Sequence, residues 1–518
     1  MARPVETTEV LFERFGPKYR FYVTVIALLG TISAIVTTTT VNVALPDIMG
    51  AFGIGVDRGQ WIVTGNLAGQ TVGQLLSAWL IDSFGQRKTF VGGLCIFVSS
   101  LLVAALSPNE VVLVGARVVQ GLMAGVLQSL TMFTLFSVFP PAKRGMAMGF
   151  FSINAILGPA VGPTVGGMLI EYFNWRAVFY MALPFSVIGL LFGPLLMPER
   201  DASTKRSQFD WVGFALLCLT MTCLLTGLSN GQREGWWDSD FIVTMLTVAA
   251  GAGIAFLAWE LHVSYPLVHL RVLKVGPFAA AACVAVVFGM GQFGTTFLIP
   301  LFVQTVQGLT PLDAGLLLMP GALLLGIFMP LGGYLCDRLP ARTLLITGLT
   351  SFAASTYFMH RIDVNTAFSW MLGWVVVSRL GQALINPTLN ASAMRTLHAT
   401  QLRQGAGMIN FFRQLGGAFG VNLLSVSLNR DTFSYSDRLT SMQTAANTST
   451  AELLHGVQGL LAQFGASSDV QSAGALNFLG RVVYAQAYTL AFRDCFLIVT
   501  VVFMLALIPA WLMGRKAR

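Results

Sequence analysis

The sequence predicts an all-α integral membrane protein, and three observations carry that prediction. Fourteen apolar runs of about twenty residues follow one another along the chain, the length an α-helix needs to cross the hydrocarbon core of a bilayer. Only 10% of the 518 residues are charged and 55% are hydrophobic, whereas a soluble domain carries about 25% charge. The basic residues, finally, divide unevenly between the two sides that successive spans would create.

The runs lie near 21–45, 60–81, 89–107, 111–137, 145–170, 177–197, 210–228, 241–260, 276–303, 312–335, 343–359, 367–391, 405–428 and 492–513. An even number of crossings puts both ends of the chain on one side. Twenty Lys and Arg residues then fall on the side of the termini and eight on the other, while Arg117, Arg379 and Arg413 lie inside spans. Basic loops stay cytoplasmic during insertion, so fourteen spans with both termini in the cytoplasm are expected. The first twenty residues lead straight into a span, and no cleavable signal peptide is expected. A net charge of +8 does not indicate nucleic acid, because the basic residues are scattered singly and build no basic face. Six cysteines lie in or at the ends of apolar runs and read as small membrane-buried residues, not as a disulfide framework or a zinc site.

A repeat runs through the chain. Asp82 in SAWLIDSFGQRK has a counterpart in Asp337 of GGYLCDRLPAR; Arg117 in ARVVQG matches Arg379 in SRLGQA; Phe150-Phe151 matches Phe411-Phe412. The offset of about 260 residues predicts two six-span halves, 1–197 and 276–518, separated by residues 198–275, which hold linker segments and two inserted spans. Transporters built from parallel repeats place the substrate near the midplane between the halves. Residues 429–491 form the one long polar excursion and are expected outside as a loop. Within it, Ala451–Phe464 is weakly amphipathic and expected to be helical, a cap over the outer mouth or a dock for a periplasmic partner.

The fifth span is the most distinctive stretch. NAILGPAVGPTVGG carries Pro159 and Pro163 and a glycine row at Gly158, Gly162 and Gly166. In a soluble helix each interior proline costs about 3 kcal/mol. In a bilayer, neighbouring helices satisfy the freed carbonyls, and small residues four apart let backbones approach. A bent helix packed hard against another is expected, either for packing alone or for movement. GPAVGPTVGG followed by NWRAVFYMALP resembles the fifth-span signature of proton-coupled drug exporters of the major facilitator superfamily, in particular its fourteen-span EmrB/QacA-like branch. Ala182 departs from the pattern, which more often has Asn there. The resemblance implies the major facilitator fold, two six-helix bundles plus two extra central spans, in the cytoplasmic (inner) membrane. It also implies multidrug efflux by alternating access and proton antiport, with no cofactor beyond the proton gradient. Gly158, Pro159, Gly162 and Pro163 would then serve conformational gating. A periplasmic membrane-fusion adaptor and an outer-membrane channel are partners carried over by fold-level analogy alone.

SAWLIDSFGQRK resembles the superfamily's loop between spans two and three. Leu80, Asp82, Gly85, Arg87 and Lys88 fit; Ala78, Ser83 and Gln86 depart. Asp82, where a span meets the cytoplasm, can hold a helix N-terminus and basic side chains and so fix one conformation, or simply cap a helix. Asp337 and Arg338 are its C-half counterparts. Arg117 lies well inside span four, where insertion scales charge at least about 2.5–3.5 kcal/mol, so it should face the bundle interior unless it snorkels to an interface. Its match to the exporter pattern, Arg then Gln-Gly, implies a part in proton transfer, with Gln120 one turn away. Arg379 and Arg413 are C-half analogues whose role, structural or functional, stays open.

TTTTVNVALPDI in span one resembles a family stretch in which an acid stands at the place of Thr37. None of the 23 carboxylates lies mid-membrane. A buried carboxylate with a raised pKa is the usual proton carrier and the counter-ion for cationic drugs. Without it, and with three intramembrane arginines, neutral or anionic amphiphiles are the expected substrates. The cavity candidates are Thr37, Asn42, Asn154, Arg379 and Arg413, and the proton-coupling candidates are Arg117, Gln120, Asp47 and Asp82. Phe288, Met290, Phe293, Phe297 and Met319 supply adaptable apolar surface in spans nine and ten, or lipid-facing packing. There is no nucleotide-binding loop, and no metal set, triad or acid pair that would indicate an enzyme. The alternatives are an uptake carrier or uniporter and, from another class, a receptor or scaffold, which has no need of two balanced conformations.

Overall fold

The computed structural model describes residues 7–199, 208–444 and 447–513; most of the central linker, 200–207, therefore lies outside the described residues. Among these, all regular structure is helical. The helices are α1 Thr8–Phe15, α2 Tyr19–Phe52, α3 Val56–Ala105, α4 Glu110–Val138, α5 Arg144–Ser152, α6 Asn154–Tyr172, α7 Ala177–Tyr180, α8 Leu183–Leu196, α9 Trp211–Glu234, α10 Asp240–His262, α11 Gly276–Thr305, α12 Pro311–Arg338, α13 Ala341–Met359, α14 Phe368–Arg395, α15 Leu402–Ser441, α16 Thr448–Gln463, α17 Ser468–Leu505 and α18 Leu507–Leu512. Ten described stretches are long and apolar enough to cross a membrane. The chain is a multi-pass membrane protein.

Local chemistry sets the breaks. The stretch Arg58–Ala105 is 48 residues long, about 72 Å if straight, more than twice the hydrocarbon thickness. It folds back at Gly85, whose φ of 82° and ψ of 169° suit only glycine, giving two arms of α3. Asn109 caps α4 by accepting from the Val112 N–H at 3.0 Å. Thr310 and Asp313 form a reciprocal capping box on α12, which satisfies two of the donors a helix start leaves orphaned. In the fifth apolar run the helix is interrupted at Ile153, between α5 and α6, ahead of the prolines expected to bend it.

Beside a large buried apolar core, several helix pairs approach closely through glycine, as expected where lipid offers no hydrophobic drive for association. A Cβ on Gly73 would stand 2.0 Å from the Leu122 carbonyl oxygen, one on Gly121 2.0 Å from that of Asn66, and one on Gly125 2.1 Å from that of Gln70. The first arm of α3 and α4 are thus in backbone contact. Gly289 and Gly416 bind α11 to α15 in the same way, against the Arg413 and Val286 carbonyls. Gly162 and Gly166 press α6 against Thr39 and Thr40 of α2, the close helix pair expected of the fifth span. α9 and α10 pack on each other, and α9 also reaches both α3 and α15.

Residues 429–491, expected as a loop, are almost wholly helical. α15 runs on to Ser441, α17 begins at Ser468, and α16 fills the gap. Hydropathy marks where a helix is apolar, not where it stops; an established helix adds polar residues at little cost. The extension is pinned where the Tyr435 hydroxyl donates to Asp494 at 2.6 Å. The helix expected over 451–464 is seen as Thr448–Gln463.

The start of α2, the end of α8 and the end of α18 lie at one end of the bundle. There Tyr19 bonds the Leu196 carbonyl at 2.9 Å, Arg87 bonds that of Met197 at 2.7 Å, and Arg342 covers Trp511 at 4.5 Å. At the opposite end Arg58 pairs with Glu110 at 2.9 Å and Phe52 meets Trp175 at 5.4 Å.

If backbone contact holds α3 to α4, Gly121→Val should lower stability by about 1–3 kcal/mol through overpacking, read as a lower thermal unfolding midpoint in detergent. Gly92→Val, at a glycine with nothing within 4 Å, should leave the midpoint nearly unchanged.

Candidate functional site

Two carboxylates organise the end of the bundle where α2 begins. Asp82, just before the Gly85 fold-back, pairs with Arg403 in the first turn of α15. Asp337, at the end of α12, accepts from the first N–H groups of α5, Gly145 at 2.7 Å and Met146 at 3.0 Å, and pairs with Arg395. The sequence expectation for one acid, a helix N-terminus and basic side chains, is divided between the two repeats. Asp337 takes the helix N-terminus, where peptide dipoles favour an anion, and Asp82 the cross-half arginine. Around them the halves meet backbone to backbone: a Cβ on Gly145 would stand 2.4 Å from the Gly333 carbonyl oxygen, and one on Gly407 2.3 Å from that of Gln74. This end is closed. Arg87 braces α3 against Glu199 at 2.9 Å, whereas Arg338 is exposed and stacks over Tyr334 of its own helix at 4.3 Å, apart from the cross-half contacts.

Deeper in the bundle each half buries an arginine beside a glutamine one turn on. Arg117 is fully buried; its Nη1 donates to the Gln120 Oε1 and its Nε to the Ile62 carbonyl at 3.3 Å. It does not snorkel. Arg379 Nη1 donates to Gln382 Oε1 at 3.2 Å, the same i,i+3 arrangement in the second repeat. Arg413 is held by Asn386 at 3.2 Å and Asn410 at 2.7 Å, and Asn410 reaches Met132 of the other half at 3.5 Å. Among the described residues none of the three has a carboxylate within ion-pair reach. Among the described residues Arg117 Nη2 and the amide nitrogens of Gln120, Gln382 and Asn386 have no hydrogen-bond partner. Buried donors left open are costly, and cationic ones more so.

The other expected site residues divide. Thr37 is buried, but its hydroxyl donates to the Ser33 carbonyl of its own helix at 2.7 Å; its neighbour Thr38 instead reaches Asn66 at 3.2 Å, and Asn66 donates to the Arg117 carbonyl at 3.1 Å. Asn154 is buried with both amide atoms unpartnered. Asn42 and Asp47 are exposed on α2, outside the arginine clusters. The side chains of Pro159 and Pro163, and the surroundings of Gly158, lie outside the described residues. Phe288 is buried, while Phe293 and Met319 are exposed. Asn66, Gln74, Gln128, Gln382, Asn386, Asn390 and Asn410 escaped notice in the sequence; a polar amide facing inward from an apolar span was the signal available.

A family model described as the Major Facilitator Superfamily matches residues 27–421. The chain belongs to the Major Facilitator Superfamily. It is a membrane carrier, not an enzyme. The uncharacterized MFS-type transporter YhcA of Bacillus subtilis is 30% identical over 89% of this chain and 86% of its own. The fatty acid resistance protein FarB of Neisseria gonorrhoeae is 27% identical over 95% of each chain, and the multidrug export protein EmrB of Haemophilus influenzae 26% over 93% of each. The crystal structure of the human organic anion transporter MFSD10 (TETRAN) shares the fold, with a TM-score of 0.57 over 94% of this chain and 99% of that one at 16% identity.

Cys336, buried beside Asp337, reports on this end. With the other cysteines replaced, Asp337→Ala should raise its labelling rate by a thiol reagent in detergent tenfold or more, since lost charge-assisted bonds are worth roughly 1.5–3 kcal/mol. An unchanged rate would mean the carboxylate does not hold the halves together.

Proposed function

We propose that the protein is a secondary exporter of amphiphilic compounds, working by alternating access and driven by proton antiport. The observation that carries this reading is the set of buried arginines, amide-held and without acid partners, in a carrier whose halves meet through contacts that can be undone. A substrate anion is the missing counter-ion for those arginines, so neutral or anionic amphiphiles are favoured over quaternary ammonium compounds. FarB is named for fatty acid resistance and EmrB for multidrug export, which supports the same reading at the level of substrate class.

The architecture proposed with it is fourteen spans: a first half over 1–197, linker segments and two inserted spans over 198–275, and a second half over 276–518. The closed end with Asp82 and Asp337 faces the cytoplasm, as do both termini, in the inner membrane. Asp82 is the proton-coupling candidate we prefer over Asp47, because protonating it would release Arg403, while Asp47 has no ion pair among the described residues. Arg117 and Gln120 line the path, with Arg379 and Arg413 on the facing half. Gly158, Pro159, Gly162 and Pro163 let α6 adjust as the halves rock. The outer α15–α17 helices cap the exit; an adaptor and outer-membrane channel would dock there.

Everted vesicles carrying an imposed pH gradient test the reading. An alkyl sulfonate, which stays charged and carries no proton through lipid by itself, should collapse the gradient, and Arg117→Ala should slow the collapse at least about tenfold, the cost of one charge-assisted contact. Collapse by a cationic dye alone would contradict the substrate class. Movement that continues in the same direction with an uncoupler present would point to a uniporter.

A further inference from the structure

One buried carboxylate takes no part in the site described so far. Glu260, near the end of α10, is 4% exposed. Its Oε2 accepts from the Val268 N–H at 3.2 Å, and its Oε1 has no partner. That oxygen faces a second carboxylate: Asp210 Oδ2 and Glu260 Oε1 stand 2.3 and 3.0 Å from the point a Cβ on Gly213 would occupy. Asp210 is 8% exposed and already accepts from the Gly213 N–H at 2.8 Å and the Trp259 indole at 2.9 Å. Those two distances put the oxygens at most about 5 Å apart and out of water, so two ionised carboxylates here would repel each other, and among the described residues the Glu260 Oε1 has no donor. A shared proton removes both difficulties.

Few other charges face the pair. His269 and Arg271 follow Val268 on the segment before α11. His262 is exposed and bonded to Ala258 of its own helix at 2.8 Å. α15 brings Gln404 and Arg403, the latter engaged with Asp82. A short path joins the pair to that contact. Val268, the donor to Glu260, precedes His269, whose Nδ1 lies 2.6 Å from Gln404 Nε2, and Gln404 adjoins Arg403. Partial desolvation, and then the Arg271 charge, lower the His269 pKa. Both effects favour the neutral ring, whose Nδ1 can accept from Gln404 when the proton sits on Nε2.

We propose that Asp210 and Glu260 form a proton-binding site on the two inserted helices, holding one proton between them, and that its occupancy controls the Asp82–Arg403 contact. The proton enters from and returns to the water at the Asp82 end. With it, the Glu260 acid donates to the Asp210 carboxylate and the 263–275 segment stays packed, with His269 clasping α15. Without it, two anions repel, the segment around 267–269 moves off, and Gln404 and Arg403 are released. The inference rests on the alternating-access reading above.

The test uses the full chain in nanodiscs and needs no substrate. Infrared difference spectra across a pH titration read the protonated carboxyl, and electron–electron resonance between spin labels on α3 and α15 reads the separation at the Asp82 end. In the wild type a carboxyl band should titrate and, over the range in which Asp82 stays ionised, the labels should part as pH rises. Glu260→Gln should abolish that band and hold the labels together throughout that range; Asp210→Asn, which removes the repulsion, should also hold them together. A band that survives in Glu260→Gln, or labels that part with pH in that variant as in the wild type, would overturn the proposal. Intact signals in a protein that moves no substrate would support this site and count against export. Proton-coupled transport with neither signal would support export and count against this site.

Discussion

The arrangement depends on how two nearly self-sufficient halves touch. Within each half, α3 with α4 and α11 with α15 are joined through glycines at backbone distance, contacts that no small rotation relaxes. Between the halves the backbones also approach closely, at Gly145 and Gly333 and at Gly407 and Gln74, and two carboxylates reach across to an arginine or to a helix start. It is the carboxylate contacts that set this seam apart, because they are exchangeable with water once exposed. Rigid halves and a breakable seam are what rocking about a central site requires.

The arginines give that seam something to respond to. Each is held by amides, which satisfy donors but neutralise no charge, and several of the surrounding N–H groups remain open. A ligand that brings an acceptor, above all an anionic one, has more to gain here than in a site already balanced by a carboxylate. The lack of an acid at Thr37 is therefore more than a missing part. Under the proposed function it shifts which substrates would stabilise the bound state and leaves the titrating group to the edges of the spans, where Asp82, Asp210 and Glu260 stand.

Much of this was legible in the chain. Membrane character followed from run length and charge; of the repeat marked by the Asp82/Asp337 and Arg117/Arg379 pairs, the arginines make matching contacts, down to the second glutamine at Gln382, while the two acids make different ones. Less legible was anything that depends on rotation about a helix axis. Thr37 and Thr38 differ by about 100° of turn, and only the second reaches Asn66. Polar helix beyond the membrane was also hidden: hydropathy falls after 428, yet α15 continues to Ser441 because the backbone ladder does not require apolar residues. The Asp210–Glu260 pair was invisible for a different reason, since fifty residues separate two acids that each read as an ordinary span end.

The claim that the two halves rock about a seam held by Asp82 and Asp337 is tested most directly at the opposite end of the molecule. Fluorophores on the outer ends of α2 and α11, followed by single-molecule energy transfer, report that separation. Replacing both carboxylates by amides should shorten it, because opening one end closes the other in a two-state carrier. An unchanged distance, with the Asp82 end shown to be loosened, would mean that the halves come apart locally and that the seam does not govern a global motion.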